Sequence, residues 1–363
     1  MRHQQTKISI EINMKSYTLA FISIVINVLA LQPHSVMAHH SRAEFADDIQ
    51  VLEGELIQVR WANPHPTFEL QISNSDGTEQ TLEIQAYGTI YTLSRGGVNE
   101  NHFTLGEKVQ IAGQISTRRE NVFLANNMLL ENGQEVVLNG GAEPYFNQES
   151  IGGLANWAAS ESDVVDAAKE NLGLFRIWSQ PHRSTDARDG KGATNLHLPF
   201  NEEALSKRAT WDPLDDPDLQ CMPKGMPMVM VTPHPFTFSE DGSDVKILAH
   251  EYAVERVIHI IDTDGPSLQA PTPLGYSVGR WEGGTLIVNT TDLTANYFFF
   301  GFNLSDKVEI EERITLSADQ TRLDYLAVVT DPDTFTEPAR IDRHWLALGE
   351  TPEPYDCTAT QLD

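Results

Sequence analysis

Short segments in which apolar and polar residues alternate recur along most of this chain, and tight turns separate them. The clearest segment covers residues 51–61 and runs into the turn Asn63-Pro-His-Pro66. A second covers residues 67–72 and is followed by Ser73-Asn-Ser-Asp-Gly77, a typical turn sequence. Alternation with a period of two indicates half-buried β-strands, and closely spaced turns indicate hairpins. The chain is therefore expected to be mainly β.

The first run of strands fits a small barrel of the OB type. This fold closes five short strands into a partly open barrel, and it accommodates a helix between two of them. One short helix is expected at 89–95, before the Gly96-Gly97 pair. The strands are expected at 51–61, 67–72, 81–86, 108–113, 122–130 and 135–138.

The second run of strands fits a larger antiparallel structure. Eight or nine meandering strands favour a closed, lipocalin-like barrel, because closure leaves no free strand edge. A β-sandwich is the alternative. The strands are expected at 228–232, 236–239, 245–251, 257–261, 276–281, 285–290, 308–316, 322–329 and 340–348.

The pattern divides the chain into four parts. They are a signal peptide at 1–38, an OB-like domain at 39–140, a linker and irregular arm at 141–220, and an antiparallel β domain at 221–363. The arm is weakly patterned, which is typical of a segment that wraps around or covers a domain. Within it the sequence indicates a helix at 162–171 and a strand at 172–178 that opens the second domain.

Charge restricts the classes of partner. The chain has 52 Asp and Glu against 25 Lys and Arg, a net charge of −27. Nucleic acids and anionic membranes attract proteins through excess Lys and Arg, so neither is expected to bind. A hydrophobic fraction of 40% supplies enough residues for packed cores. The expected partner is a small molecule, and the sequence indicates no oligomeric state.

The first 38 residues have the pattern of a secretory signal. Lys15 precedes an apolar run at 17–31, and Val36-Met37-Ala38 supplies small residues before a cleavage point. The run is shorter than the ~20 residues that span a bilayer, and a retained membrane anchor is the alternative. The mature protein is therefore expected in the periplasm or outside the cell, without a stable membrane span.

Export would place the two cysteines in an oxidising compartment. Cys221 and Cys357 are the only cysteines of the chain. Oxidising compartments favour a disulfide between such a pair, and two buried free thiols are the alternative. Neither cysteine lies in a nucleophile motif.

Several motifs carry a resemblance. The first half contains His39-His40-Ser41, Glu44-Phe45 and Trp61-Ala-Asn-Pro-His65. These resemble the start of a family of exported bacterial proteins of unknown function, the DUF6152-like OB domains. The second half, with Gly275-x-Ser-x-Gly-Arg-Trp-Glu-Gly-x-Thr-Leu286, resembles an uncharacterised companion β domain. That domain carries a His-Ser pair where this chain has Asn303-Leu-Ser305. The resemblance implies fold and export, and it supplies no reaction.

Histidines near the start form a candidate metal site. Cleavage after Ala38 makes His39 the first residue, and a terminal histidine chelates copper through its amine and its ring nitrogen. His65, held in the proline-flanked turn, is the expected second ligand, with His40 as the spare. The competing interpretation is a solvated terminus and a structural His65. Copper is the only cofactor that this pattern indicates.

Five polar side chains in the second half are candidates for acid–base chemistry. His234 lies in a Thr-Pro-His-Pro turn, and His250 and Tyr252 are expected on one face of a strand. Arg280 and Glu282 belong to a hairpin sequence, and either could face a cavity. The structural alternatives are a strand bend, a satisfied core pair and a turn.

A run of aromatic residues is a candidate lining for an apolar ligand, and a core strand or a lid is the alternative. It comprises Tyr297, Phe298, Phe299, Phe300 and Phe302. The sequence thus predicts an exported protein that binds a small, largely apolar molecule in its second β domain.

The alternative function is a periplasmic lyase, isomerase or hydrolase acting on a small organic molecule in the same domain. The sequence has no phosphate loop, dinucleotide fingerprint or zinc-protease motif. The residues Gly275-x-Ser-x-Gly279 match the consensus sequence of a nucleophile elbow. The sequence after the serine, however, predicts a strand and not the helix that an elbow requires.

Overall fold

The computed structural model describes residues 44–359, apart from 75, 141, 148, 154–160, 170–172, 182–193 and 262–269. All of them belong to one compact unit, His40–Asp363. The expected signal peptide and the histidines His39 and His40 lie outside the described residues. Strands account for 45% of the structure and helices for 14%, which confirms the mainly β prediction.

The first five strands form a closed barrel. They follow the order β3-β2-β1-β4-β5, and a parallel pairing of β3 with β5 completes the circle. Two short strands, β6 (Glu135–Val137) and β7 (Ser150–Gly152), continue the sheet beyond β5. The barrel strands are β1 (Gln50–Arg60), β2 (Thr67–Ser73), β3 (Glu79–Ala86), β4 (Lys108–Ile115) and β5 (Val122–Leu129).

The alternation seen in the sequence builds the core of this barrel. Leu56, Leu70, Ile84 and Ile111 point inward and have no exposed surface. Gly54 allows β1 to approach β2, since a Cβ atom there would lie 2.5 Å from the carbonyl oxygen of Gln71. The barrel is therefore filled with side chains and encloses a packed core.

The short helix α1 (Ile90–Arg95) follows β3, as predicted. The Thr89 hydroxyl accepts a hydrogen bond from the Thr92 N–H and caps its first turn. Gly97, with a φ of 83°, takes the chain out of the helix. Leu93 is buried in the barrel core, while Tyr91 and Arg95 contact the second half of the chain through Glu350.

The second half forms a ten-stranded sheet that curls into a half-barrel. Its order is β8-β10-β11-β12-β13-β14-β17-β18-β19-β9, and every pairing is antiparallel except β12 with β13. The strands are β8 (Ile177–Trp178), β9 (Thr194–His197), β10 (Phe236–Asp241), β11 (Asp244–Ala249), β12 (Val254–Ile260), β13 (Tyr276–Glu282), β14 (Thr285–Thr291), β17 (Glu309–Leu316), β18 (Arg322–Thr330) and β19 (Ala339–Leu346).

The curl brings one edge of this sheet next to the last residue of β19. Ser179, directly after β8, exchanges two backbone hydrogen bonds of 2.8 and 2.9 Å with Leu346 at the end of β19. Trp178, Phe236, Tyr325 and Trp345 fill the inner face and are at most 2% exposed. A separate ribbon, β15 (Asn296–Phe299) with β16 (Phe302–Leu304), lies outside the large sheet.

The segment expected as an irregular arm is more integrated than the sequence indicated. It supplies β8 and β9, which are the two edge strands of the large sheet. It also contains two helices, α2 (Glu161–Lys169) and α3 (Glu202–Arg208). Of the strand expected at 172–178, only Ile177–Trp178 pairs with a neighbour.

Two other expectations for local structure are wrong. Residues 228–232 were expected to be a strand, but Met228–Val231 is a buried 3-10 helix. The strand β11 ends at Ala249, and a turn containing the 3-10 segment Glu251–Ala253 follows it. Three further 3-10 segments are Glu100–His102, Pro213–Asp215 and Pro217–Gln220.

The predicted disulfide joins Cys221 to Cys357, with Cα atoms 5.9 Å apart. Next to it the C-terminal tail meets the small barrel: Asn63 N donates to Asp356 O, and Thr358 N donates to Asn63 O at 2.8 Å. The tail thus connects both halves of the unit. Within the described residues, no helix combines the length and the apolarity needed to cross a membrane.

Candidate functional site

The inner face of the large sheet opens at one end. In β13 the inward residues Ser277 and Gly279 are buried, and Trp281 follows on the same face but is 46% exposed. Trp281 pairs with Leu286 of β14, and Leu316 pairs with Leu323 of β18. The β13–β14 and β17–β18 hairpins therefore turn at the same end of the sheet, which we call the mouth.

A cavity of about 400 Å³ lies at this mouth. Sites for small molecules in proteins have volumes of about 300–1,000 Å³, so the cavity is large enough for one organic molecule. We call it the mouth pocket. Its lining residues are Gly173, Leu174, Phe175, Trp281, Gly284, Ile314, Leu316, Ser317, Ala318, Gln320 and Leu323.

Two polar side chains line the mouth pocket, and the surrounding turn uses most of their hydrogen-bonding capacity. The Ser317 hydroxyl donates to Asp319 Oδ1 at 2.7 Å and accepts from the Arg322 N–H at 3.0 Å. Gln320 Oε1 accepts from the Gly173 N–H at 3.1 Å. The amide of Gln320 is thereby held in one orientation, and its Nε2 group is left as a donor at the pocket.

A buried polar network lies one layer below the mouth. Glu312 in β17 and Tyr325 in β18 lie two residues further from the mouth than Ile314 and Leu323, a separation of about 7 Å. Arg256 Nη1 donates to Glu312 Oε1 at 2.9 Å, and the Tyr325 hydroxyl donates to the same oxygen at 2.9 Å.

The network is complete in itself. Arg256 Nη2 also donates to the hydroxyls of Ser277 and Thr290, each at 2.9 Å. Burial raises the pKa of Tyr325 well above its usual range, which keeps its hydroxyl protonated as a donor. Burial alone would lower the pKa of Arg256, but the Glu312 carboxylate outweighs this and raises it. The sequence analysis missed these residues, although each is a polar residue at an inward position of a strand.

The structure separates the five polar candidates of the second half. His234 and Tyr252 both contact the ring of Tyr355, with centroid distances of 5.0 and 4.6 Å. His250 instead shares a 2.8 Å hydrogen bond with Thr237. The expectation that His250 and Tyr252 share a strand face is wrong, because the chain turns at Tyr252, whose φ is 58°.

Arg280 and Glu282 pair with each other at the other face of β13. Arg280 Nη2 lies 2.9 Å from Glu282 Oε1, and both side chains are about half exposed. They alternate with the inward residues of the strand and do not line the mouth pocket. The residue between them, Trp281, is the one that reaches the cavity.

The aromatic run expected to line a ligand site packs into the core. Phe298 is 1% exposed, and Phe302 stacks on Phe200 with ring centroids 3.6 Å apart. Phe300 also packs against the same core, while the side chain of Phe299 lies outside the described residues. The Tyr297 hydroxyl donates to Asp216 Oδ2 at 3.1 Å, and burial raises the pKa of Tyr297. The four whose side chains are described do not line the mouth pocket.

A second, much smaller cavity borders the small barrel. Its volume of about 40 Å³ accommodates water or a single ion but no organic molecule. Glu44, His65, Asp216 and Asp218 are among its lining residues. Glu44 pairs with Arg119, and Asp218 pairs with the largely covered side chain of Lys224 at 2.9 Å.

His65 has a defined setting in this small cavity. Its Nδ1 lies 3.4 Å from the carbonyl oxygen of Gly88, and its ring stacks on Tyr87. With the proton on Nδ1, the ring donates to the carbonyl oxygen of Gly88. No three His, Cys, Asp or Glu side chains among the described residues are arranged to hold a metal ion.

Comparison with known proteins gives one result for part of the chain. No curated protein matches the sequence. The match covers residues 28–122, which include β1 to β4, the turn that carries His65 and the first residue of β5. Over these residues the chain matches the model of a family of unknown function, DUF6152.

Proposed function

We propose that this protein binds a small, largely apolar molecule in the mouth pocket. The observation that carries the proposal is the cavity of about 400 Å³ whose lining is mostly apolar. Trp281 supports it, because a large aromatic side chain that is 46% exposed leaves apolar surface for a ligand to cover. The proposed site is on the large sheet, the part of the chain that the sequence analysis also favoured, but its lining residues are different from the candidates named there.

Gly284 allows a direct test of this site. A Cβ atom at Gly284 would meet no atom within 4 Å, and its φ lies outside the left-handed region. Gly284→Leu therefore places a side chain in the cavity without straining the backbone. We expect it to weaken binding of the fluorescent probe N-phenylnaphthylamine by roughly 10- to 100-fold, as overpacking costs about 1–3 kcal/mol. Fluorescence titration of the full chain measures this.

Ser243→Leu is the matched control. Ser243 is exposed and holds the same second position in the two-residue turn of the β10–β11 hairpin, where Asp241 pairs with Asp244. It does not line the mouth pocket. Its affinity for the probe should equal that of the unchanged protein. Equal affinities in all three proteins would contradict the assignment of the pocket.

A metal site in the small barrel is our second proposal, and it depends on export and on cleavage after Ala38. Glu44 and His65 line the same small cavity, and only four residues separate His39 from Glu44. A segment of that length spans at most about 18 Å, which limits the distance between the terminal amine and His65. The ligands would be the His39 amine and ring and His65 Nε2, with copper as the ion and His40 as the spare ligand.

Copper titration of the mature protein tests this site. The protein that begins at His39 should bind copper(II) at least about 100-fold more tightly than a variant with one residue added before His39, or than His65→Ala. His197→Ala is the control, because His197 is exposed and pairs with Glu337. Equal affinity in the extended variant would contradict the proposed amine ligand. Mass spectrometry of the exported protein tests the cleavage point.

The alternative function, a periplasmic lyase, isomerase or hydrolase, is favoured by one observation. His234 and Tyr252 meet at Tyr355 even though they are 18 residues apart in sequence. His234 is 4% exposed, however, and none of the three lines the mouth pocket. Mass analysis of a molecule co-purified with the protein separates the two functions. Recovery of one unchanged compound supports binding, whereas conversion that is lost in His234→Gln supports an enzyme.

A further inference from the structure

We infer that the mouth pocket takes an electrically neutral molecule with a hydrogen-bond acceptor, and that it excludes ionised amphiphiles. This inference rests on the function proposed above and defines the class of ligand. It follows from the chemistry of the lining. The lining residues are glycine, alanine, leucine, isoleucine, phenylalanine, tryptophan, serine and glutamine, and none of them carries a charge.

The charged groups next to lining residues in the sequence are engaged by other protein groups. Arg176, beside Phe175, donates to the carbonyl oxygen of Ala167, and Arg313, beside Ile314, lies 3.9 Å from Glu282. Arg280 pairs with Glu282, beside Trp281. Arg322 Nε lies 2.6 Å from Asp324 Oδ1, on either side of Leu323. Asp319 accepts hydrogen bonds from the Ser317 hydroxyl and the Thr321 N–H, which lower its pKa and keep it ionised. None of these groups lines the cavity, so an ionised ligand group would enter it without a counter-charge in the lining.

Desolvation then decides between neutral and charged ligands. A carboxylate or an ammonium group that leaves water without a partner loses far more solvation free energy than an amide, an ester or a ketone does. The apolar body of each ligand gains the same burial in the pocket. Among ligands of nearly the same size and shape, the lining therefore favours the neutral ones over the ionised ones.

Gln320 provides the polar contact for such a ligand. Its Oε1 is occupied by the Gly173 N–H, which fixes the amide and leaves Nε2 to donate. A donor in a largely apolar pocket favours a carbonyl or ether oxygen on the ligand. Gln320 is therefore a specificity-determining residue for the acceptor group.

The net charge of the whole chain would favour different ligands from those favoured by the uncharged lining, so the two explanations can be tested against each other. The chain carries a net charge of −27, which attracts cations and repels anions over the whole surface. If that field decided selectivity, a cationic ligand would bind more tightly than a neutral one, and salt would reduce the difference. If the lining decides, both ions bind weakly at any salt concentration.

Three ligands of the same ring size separate these cases. Naphthamide is neutral, naphthoate is an anion and naphthylmethylammonium is a cation at neutral pH. Each competes with N-phenylnaphthylamine for the full chain, at low salt and at physiological salt. We expect naphthamide to compete, and both ions to bind at least about 30-fold more weakly at either salt concentration.

Results that contradict the preference for neutral ligands can be distinguished from results that contradict binding in the mouth pocket. Competition by either ion as strong as that by naphthamide, or a salt-dependent preference for the cation, would overturn neutrality and leave the pocket in place. Failure of naphthamide to displace a probe that Gly284→Leu does weaken would also overturn it. A probe affinity that Gly284→Leu leaves unchanged would instead contradict the proposed function itself.

A charge introduced at Gln320 gives a second, independent test. Gln320→Arg adds the missing counter-charge, so naphthoate affinity should rise by about tenfold or more relative to naphthamide. Gln50→Arg is the control, because exposed Gln50 lies on β1 and does not line the mouth pocket. An unchanged ratio of the two affinities in Gln320→Arg would count against the role assigned to this residue. The series of three ligands on the unchanged protein does not depend on this variant folding.

Discussion

Replacement of Glu312 by glutamine is expected to lower the free energy of unfolding by about 3–5 kcal/mol. The variant leaves the Arg256 guanidinium in the core without its counter-charge. Arg256 is 4% exposed and Glu312 is fully buried, so water cannot replace the lost carboxylate. Urea denaturation followed by tryptophan fluorescence measures the change.

Two further variants distinguish the stability lost by leaving Arg256 unpaired from the stability that the Arg256–Glu312 pair itself contributes. Arg256→Met combined with Glu312→Leu should recover roughly half or more of the lost stability, because apolar residues replace buried ion pairs at small cost. Glu282→Gln breaks the exposed pair with Arg280 on a strand of the same sheet and should cost less than about 1 kcal/mol. A loss in Glu312→Gln as small as that in Glu282→Gln would contradict the role of the network.

Removal of the disulfide has the second large expected effect. Cys221 and Cys357 are separated by 136 positions, and a cross-link that closes so long a loop restricts the unfolded chain strongly. We expect Cys221→Ala with Cys357→Ala to lower the free energy of unfolding by about 5 kcal/mol, on the chain-entropy account. The same urea titration measures it.

The redox state supplies the control for this prediction. Under dithiothreitol the unchanged protein should unfold at the urea concentration of the double alanine variant, and the variant itself should not respond to the reductant. Coincident unfolding of the oxidised protein and the variant would contradict the expected contribution of the cross-link. The affected contacts lie in the tail, where Glu350 binds Arg95 and Tyr355 packs on His234.

The elements that sequence analysis located correctly are those specified by local signals. The hairpin at Gly283-Gly284 follows from a two-residue glycine turn, and the helix α1 follows from the Gly96-Gly97 pair after its last residue. The apolar run at 228–231 has no such signal, because four consecutive apolar residues fit a strand or a tight helix equally well. Only packing against the large sheet selects the 3-10 helix.

The mouth pocket could not be found in the same way, because it is formed by three distant segments. Leu174 and Phe175 precede β8, Trp281 and Gly284 belong to one hairpin, and Gln320 lies in another. The aromatic run 297–302 was more conspicuous, but an apolar sequence does not distinguish a filled core from an open cavity. The exposed ring of Trp281 at the end of an inward-facing row is the useful signal, and it requires the strand register.

The proposed ligand site is tested most directly by a crystal structure of the full chain saturated with N-phenylnaphthylamine. The account predicts density for the probe between Trp281 and Leu316, with its rings packed against the apolar lining of the mouth pocket. Density for the probe at another place, such as among the aromatic residues 297–302, would contradict it. So would an unoccupied mouth pocket in crystals of protein that binds the probe in solution.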